Sequence, residues 1–208
     1  MNINKNKKLD KMKTNVKLNM NLIPMTEDAA STVEAKNALE YVNIMEYLPM
    51  RFPATEVEEN NRKIVNDFKN GKCSLELMNE FTDAIMQLKD EFKDKNLRVC
   101  FLPATTVSKT VLRYSQLATA IESGTGIPSD YHTIMPQPKR ATELMANGMT
   151  DTAENFLFNK EQIKGADIIL VGDIITTGTN FTKTSLKLAE LGAKSVIGLF
   201  LAKTIIRK

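Results

Sequence analysis

Apolar residues in the second half of the chain alternate between short continuous runs and segments with helical spacing. The runs at residues 97–102, 166–171 and 195–201 have the length and composition of buried strands. Residues 107–122 and 181–191 instead carry apolar side chains every three or four positions, with Leu112, Leu117 and Ala118 facing inward in the first, which predicts helices. A strand, a helix and a second strand in close succession form a βαβ unit. We therefore expect an α/β fold with a parallel sheet.

The first half of the chain has mainly helical spacing. Apolar positions predict helices over residues 31–48, 55–69 and 74–93. The first rests on Val33, Ala38, Leu39, Val42 and Met45, with Ser31 and Thr32 as caps. Residues 127–160 are polar and poorly periodic, which is typical of a functional loop or lid in a compact domain.

Composition and charge set the class of protein. Hydrophobic residues make up 42% of the chain and charged residues 25%, as in soluble globular proteins. No apolar run approaches the roughly 20 residues needed to cross a bilayer, and no apolar stretch follows the N-terminal lysines as in a signal peptide. We therefore expect a cytoplasmic protein without a membrane partner. Cys73 and Cys100 are far apart and lack metal-ligand spacing, so both are predicted free thiols.

Positive charge is concentrated at the N-terminus. Residues 1–20 contain six lysines and one aspartate, a charge of +5, so the net charge of +3 leaves the remainder at −2. Nucleic acid is therefore not expected to bind the folded body, although a basic tail could contact it. We divide the chain into a disordered basic segment, 1–30, a helical region, 31–95, and an α/β core, 96–208.

A loop rich in threonine and glycine follows the strand at 166–171. It lies at the carboxyl end of a parallel strand and ahead of a helix N-terminus, where ligands and anions bind. Gly178 allows the backbone to approach a phosphate, and Asp173 can accept hydrogen bonds from sugar hydroxyls. These features describe a ribose 5-phosphate site, although such a joint can also serve only to cap a helix. The candidate residues are Asp173, Ile174, Ile175, Thr176, Thr177, Gly178, Thr179 and Asn180.

This motif, from Ile168 to Thr179, resembles the phosphoribosyl pyrophosphate (PRPP) motif of type I phosphoribosyltransferases. The family motif consists of four apolar residues, then two acidic residues, then two apolar residues, and ends in Thr-Thr-Gly-Thr or a close variant. The segments at 113–117, 164–167 and 191–196 are similar to the ComF-like (competence protein F) branch. The resemblance covers residues 97–204. It implies a type I phosphoribosyltransferase-like parallel sheet flanked by helices. Residues 31–95 are an N-terminal helical extension outside the resemblance, and the hood of the family would be built here from these helices or from residues 127–160.

The resemblance also implies a chemistry. Phosphoribosyl transfer in nucleotide metabolism releases pyrophosphate from PRPP, with Mg²⁺ carried on the ligand and no metal held by the chain. Asp173 is then the catalytic residue that fixes the sugar. The pyrophosphate loop falls on Ala104, Thr105, Thr106, Ser108 and Lys109. For Lys109 an exposed helix lysine is the alternative interpretation. The partner is a small-molecule phosphoribosyl donor, and a homodimer is left open.

Two departures from the family pattern bear on function. Gly172 replaces the first acid of the pair, which removes a charge-assisted hydrogen bond of roughly 1.5–3 kcal/mol to the ribose. Thr176 stands where purine-salvage members carry an acid, which argues against a hypoxanthine or guanine enzyme. The rival hypotheses are a non-catalytic PRPP or nucleotide sensor, an accessory protein for DNA uptake, and a nucleic-acid binder acting through residues 1–20.

Overall fold

A five-stranded sheet with helices on both faces forms the framework of the protein. The structure is a computed structural model and describes residue 18 and residues 20–24, 38–91, 96–137 and 155–207. The strands are β1 (Asn21–Pro24), β2 (Ala38–Tyr47), β3 (Leu97–Phe101), β4 (Ile134–Pro136), β5 (Phe156–Phe158), β6 (Asp167–Ile175) and β7 (Ser195–Thr204). The helices are α1 (Glu56–Lys69), α2 (Leu75–Glu91), α3 (Val107–Thr125), α4 (Lys160–Ile163) and α5 (Thr179–Glu190).

The strand order in the large sheet is β1-β2-β7-β6-β3. The pairs β2–β7, β7–β6 and β6–β3 are parallel, and only the edge strand β1 runs antiparallel to its neighbour. The order confirms the predicted α/β class and the βαβ unit formed by β6, α5 and β7. Parallel strands place their carboxyl ends at one edge, so the segments that follow β3 and β6 emerge side by side.

Two hydrophobic clusters cover the two faces of this sheet. One joins α1, α2 and α3 to the sheet through residues such as Phe68, Phe81, Leu117, Val171 and Leu199. The other joins α4, α5 and the β4–β5 pair to the opposite face through residues such as Ile163, Phe181, Ile168, Leu170 and Phe200. The alternation of Ile168, Ile169, Leu170 and Val171 between these clusters follows from the two-residue period of a strand. Since both faces are covered, these strands read as continuous apolar runs.

Local signals predict α1, α2 and α3 closely. Thr55 and Glu58 form a capping box at the start of α1, and the Ser74 hydroxyl accepts a hydrogen bond from Leu77 N ahead of α2. Gly126, with φ of 70°, ends α3. The prediction for Leu112 is wrong, because 58% of this α3 residue is exposed.

The helix predicted over residues 31–48 is wrong in its described part. Residues 38–47 form β2, which pairs with β7 along nearly its whole length. The apolar positions Leu39 and Tyr41 contact one cluster and Val42 the other, so this spacing fits a strand covered on both faces as well as a helix. The remaining predicted helix residues, including Ser31, Thr32 and Val33, lie outside the described residues.

Three other predictions need correction or extension. Disorder over residues 1–30 is wrong for Asn21–Pro24, which forms β1; the rest of the lysine-rich segment, except residues 18 and 20, lies outside the described ranges. The described residues of 31–95 contribute β2, α1 and α2 to the same sheet and core as residues 96–208. The predicted loop at 127–160 contains the antiparallel pair β4–β5. None of the described helices combines the length and apolar character needed to cross a membrane.

Candidate functional site

A cleft of about 640 Å³ opens where the carboxyl ends of β3 and β6 meet. Its lining includes the loop after β6, the segment after β3 and side chains from α1 and α3. The lining residues are Lys69, Leu102, Pro103, Ala104, Thr105, Lys109, Arg113, Phe156, Asp173, Ile174, Ile175, Thr176, Thr177, Gly178, Thr179, Asn180, Phe181 and Phe200. All the residues predicted as the phosphate-binding set therefore line one cleft with part of the predicted pyrophosphate loop.

The loop after β6 is shorter than predicted. Asp173, Ile174 and Ile175 belong to the strand, because β6 pairs with β7 as far as Ile175. The connection to α5 is only Thr176, Thr177 and Gly178, and Thr179 and Asn180 form the first helical turn. The hydroxyl of Thr176 bonds that of Thr204 at 2.9 Å, and Thr177 bonds Thr179 at 3.0 Å.

Gly178 is the N-cap residue directly ahead of α5. Its φ of 81° lies in the left-handed region, where glycine carries no steric cost. A Cβ at this position would also collide with the side chain of Ile23 from β1. Glycine has no side chain with which to cap the helix, so the first-turn N–H groups can serve a bound anion.

Only some residues of the segment that follows β3 line the cleft. Ala104, Thr105 and Lys109 line it, as predicted for a pyrophosphate loop. The Thr106 hydroxyl caps α3 by accepting a hydrogen bond from Lys109 N at 3.2 Å. Ser108 is exposed and lies outside the lining. The backbone here is held by Thr110, whose buried hydroxyl accepts a hydrogen bond from Ala104 N at 3.0 Å.

Asp173 carries the carboxylate of the cleft, and its oxygens face protein donors. Arg113 donates from Nη1 to Oδ2 at 2.8 Å, and Lys69 Nζ lies 3.8 Å from the same oxygen. The backbone N–H of Ile174 donates to Oδ1 at 2.7 Å. Both cations come from the helical layer: Lys69 ends α1, and Arg113 lies one turn beyond Lys109 on α3. The predicted role of residues 31–95 as a hood stays a prediction, but their helix α1 does supply Lys69 to the cleft.

Arg113 is itself anchored against the core. Its side chain is 10% exposed, and its guanidinium lies over the ring of Tyr114, 5.7 Å from the centroid. Burial raises the pKa of the Tyr114 phenol, and the nearby Asp173 carboxylate raises it further, so this tyrosine stays neutral. The packing fixes Arg113 at the wall of the cleft as a permanent cation.

The opposite wall of the cleft is apolar. Leu102, Phe156, Phe181 and Phe200 line it, and the last two rings pack edge to face with centroids 5.4 Å apart. The sequence interpretation missed these residues as well as Lys69, and it used Arg113 only for the family resemblance. The four-residue spacing of Lys109 and Arg113 on one helix was the available signal for the cationic wall.

Gly172, which stands where the family pattern has an acid, packs against Phe200. A Cβ on Gly172 would lie 2.5 and 2.7 Å from two Phe200 ring carbons and 3.2 Å from Leu102. No side chain fits there unless the ring moves. The absence of an acid at this position therefore matches the local packing.

The single histidine of the chain lies outside the cleft lining. His132 is 61% exposed and contacts Asp130 at 3.0 Å, as expected of a surface position. Residues 138–154, the middle of the predicted loop or lid at 127–160, fall outside the described residues. Within the described ranges no group of three or more His, Cys, Asp or Glu residues could hold a metal ion.

Comparison with known proteins adds no family to this description. A scan against protein-family models gives no match for the chain, and a search of curated proteins gives none either.

Proposed function

We propose that the cleft binds PRPP or another ribose 5-phosphate compound, and that the protein transfers the phosphoribosyl group with release of pyrophosphate. The observation that carries the proposal is the meeting of two distant segments. The set at 173–180, chosen from the sequence for a ribose 5-phosphate, lines the same cleft as Ala104, Thr105 and Lys109, chosen for pyrophosphate. In this proposal the parallel sheet is that of the type I phosphoribosyltransferases.

The 5-phosphate is assigned to the start of α5. Backbone N–H groups at a helix N-terminus attract anions. The exposed hydroxyls of Thr176, Thr177 and Thr179 pair with Thr204 or with one another, and each of the two pairs leaves one hydroxyl hydrogen for a ligand. Gly178 supplies the left-handed backbone turn that leads from β6 into these N–H groups.

The pyrophosphate is assigned to the cationic wall. Lys69, Lys109 and Arg113 line the cleft together, whereas Asp173 is the only carboxylate among the described lining residues. Three cations and one carboxylate leave an excess of positive charge, which favours a polyanionic ligand. Lys109 can bind an anion as a point charge, whereas Arg113, whose Nη1 and Nη2 already donate to Asp173 and to the Lys69 carbonyl, adds positive charge to the wall.

Magnesium enters this proposal only with the ligand. The cleft's carboxylate is already paired with Arg113 and Lys69, so the described lining residues supply no free carboxylate for a divalent ion. A Mg²⁺ ion bound to PRPP oxygens would neutralise part of the charge that leaves with pyrophosphate.

The transfer step needs few groups from the protein. The nucleophile forms a bond to the anomeric carbon, the bond from that carbon to the pyrophosphate oxygen breaks, and pyrophosphate departs with the electron pair. Positioning of the 5-phosphate and stabilisation of the leaving charge by Lys109 and Arg113 are the contributions expected of this site.

Binding without transfer is the second candidate function. Two observations favour it: Asp173 is occupied by Arg113, and the aromatic ring of Phe200 covers the position of the missing acid. Both reduce the capacity of the site to hold a sugar during a reaction. A PRPP or nucleotide sensor needs affinity alone.

Calorimetric titration of PRPP with Mg²⁺ tests the binding claim. We expect saturable heat for the natural chain and at least tenfold weaker binding for Lys109→Met, since a charged hydrogen bond contributes about 1.5–3 kcal/mol. Lys63→Met is the matched control, because Lys63 is exposed on α1 and does not line the cleft. No heat at millimolar PRPP would rule out the proposal.

Pyrophosphate release separates the two candidate functions. The natural chain is incubated with PRPP, Mg²⁺ and a panel of purine, pyrimidine and pyridine bases. Release with any base supports transfer. Binding without release across the panel supports a sensor.

A further inference from the structure

The edge strand β1 lies against the loop at residues 176–178 without lining the cleft. Its half-buried residue Ile23 packs on Gly178: a Cβ added to this glycine would collide with Cδ1 of Ile23 and lie 3.4 Å from its Cγ1. Of the three atoms nearest to such a Cβ, two belong to Ile23 and the third, 3.8 Å away, to Ile175. Ile23 is therefore the nearest side chain to this glycine from a distant part of the sequence.

Partners on two other strands hold β1 in place. Its backbone pairs with β2, where Ile23 lies opposite Leu39. Asn21 Nδ2 donates to Asn43 Oδ1 at 3.0 Å, and Lys203 Nζ on β7 donates to Asn21 Oδ1 at 2.8 Å. The strand is thus anchored to both β2 and β7, so Ile23 meets the loop from a fixed position.

The loop's own side chains restrain it only in part. Thr176 bonds Thr204 at the end of β7, but Thr177 bonds Thr179 within the same segment. Gly178, the N-cap residue, has no side chain with which to restrain its backbone. Because glycine adopts positive and negative φ about equally well, a neighbour has to select the left-handed turn.

The position of this turn matters for an anion. The N–H groups at the start of a helix bind an anion when they point together at one place. Affinity is higher when a site already has its bound conformation, since less conformational freedom is lost on binding. Ile23 fills the space into which Gly178 would otherwise move, so it keeps the first-turn N–H groups of α5 in place.

We infer that Ile23 is a positioning residue of the phosphate site, which extends this site to an N-terminal strand outside the family resemblance. Ile23 does not line the cleft and acts through Gly178. The inference rests on the proposed function, because it takes the start of α5 as the place of the 5-phosphate. It makes β1 a requirement for binding, although the sequence pattern predicted disorder there.

Calorimetric titration of PRPP with Mg²⁺, repeated on variants, tests the inference. Ile23→Ala removes the atoms that face Gly178, and we expect binding about tenfold weaker than in the natural chain. Leu22→Ala is the matched control on the same strand, because Leu22 is 63% exposed, and it should leave the affinity unchanged. Ile163→Val is the control for stability, because Ile163 is buried in the cluster that Ile23 joins and does not line the cleft. It should lower the melting temperature and keep the natural affinity.

The outcomes separate the inference from the proposed function. If the natural chain binds PRPP and Ile23→Ala binds it as tightly, the inference is overturned and the proposed function stands. The same follows if Ile163→Val loses as much affinity as Ile23→Ala. If the natural chain does not bind at millimolar PRPP, both are overturned. Should Ile23→Ala not fold, Ile23→Val removes Cδ1 alone: we expect about threefold weaker binding, and an unchanged affinity would overturn the inference.

Discussion

Arg113 and Asp173 are 60 residues apart in the chain, and their side chains form an ion pair at 2.8 Å in the wall of the cleft. Arg113 is 10% exposed and Asp173 25%, so water screens the pair only partly. Because Arg113 lies on α3 and Asp173 on β6, this pair also joins a helix of the cationic wall to the strand that leads into the phosphate loop.

The pair should contribute measurably to stability. We expect a double-mutant cycle with Arg113→Met and Asp173→Asn to give a coupling free energy of about 1.5 kcal/mol by urea unfolding. Lys187→Met with Glu190→Gln is the control cycle, because that pair is exposed on α5 and should couple by less than about 0.5 kcal/mol. Equal coupling in both cycles would show that the burial of Arg113 adds nothing.

Gly178→Ala should damage both the fold and the cleft. The left-handed backbone costs alanine about 1–2 kcal/mol, and the collision with Ile23 adds to that cost. Gly126→Ala is the matched control: its φ is 70°, but its new Cβ would meet nothing within 4 Å. We expect Gly178→Ala to lower the unfolding free energy more than Gly126→Ala and to weaken PRPP binding, which the control leaves unchanged. Equal losses of stability would contradict the steric role of Ile23.

Arg62 should be a major determinant of stability outside the cleft. It is 6% exposed and donates to the carbonyls of Leu48, Pro49 and Phe52 at 2.7–2.8 Å. Arg62→Met removes this donor from all three carbonyls, and of these only that of Pro49 keeps a backbone partner, Phe52 N, so we expect the unfolding free energy to fall by about 2–4 kcal/mol in urea.

The control for Arg62 is its neighbour Lys63. Lys63 is exposed on the same helix, and Lys63→Met should change stability by no more than about 0.5 kcal/mol. If Arg62→Met is as mild as this control, the three carbonyl contacts carry no net stability.

Both cysteines should resist alkylation in the folded protein. Burial raises the pKa of each thiol to about 12, and the reactive species is the thiolate. At pH 8 a thiol of that pKa is ionised in only about one molecule in ten thousand. We expect iodoacetamide to label Cys73 and Cys100 at least 100-fold more slowly than in urea, and native labelling to accelerate about tenfold per pH unit between pH 8 and 10. Rapid labelling of Cys73, whose side chain is half-buried, at pH 8 would contradict its raised pKa.

Elements whose signals are local were predicted well from the sequence. Thr55 and Glu58 form their capping box within a single turn, and the apolar spacing of α2 needs no partner to be recognised. The strand β2 was mistaken for a helix because its identity depends on pairing with β7, which no local pattern encodes. Tertiary pairing overrode a helical spacing that fits a strand equally well.

The residues of the candidate site also fall into two groups: those that local sequence signals identify and those that depend on tertiary packing. Asp173 and residues 176–180 could be predicted because they lie around the junction where a parallel strand ends and a helix begins. Lys69 and Arg113 could not, because they reach Asp173 only when α1 and α3 pack on the same face of the sheet. The end of β6 was placed too early because Gly172 and Asp173 resemble turn residues, and pairing with β7 extends the strand past them.

The most direct test of the central claim is whether one ligand contacts both segments of the cleft. In a nitrogen-15 NMR titration with PRPP and Mg²⁺, we expect the backbone amides of Thr177, Gly178 and Thr179 to shift together with those of Thr105 and Lys109. Both groups should follow one saturation curve. Amide shifts confined to one segment, or no shifts at millimolar PRPP, would contradict a single cleft that holds the 5-phosphate and the pyrophosphate of the same molecule.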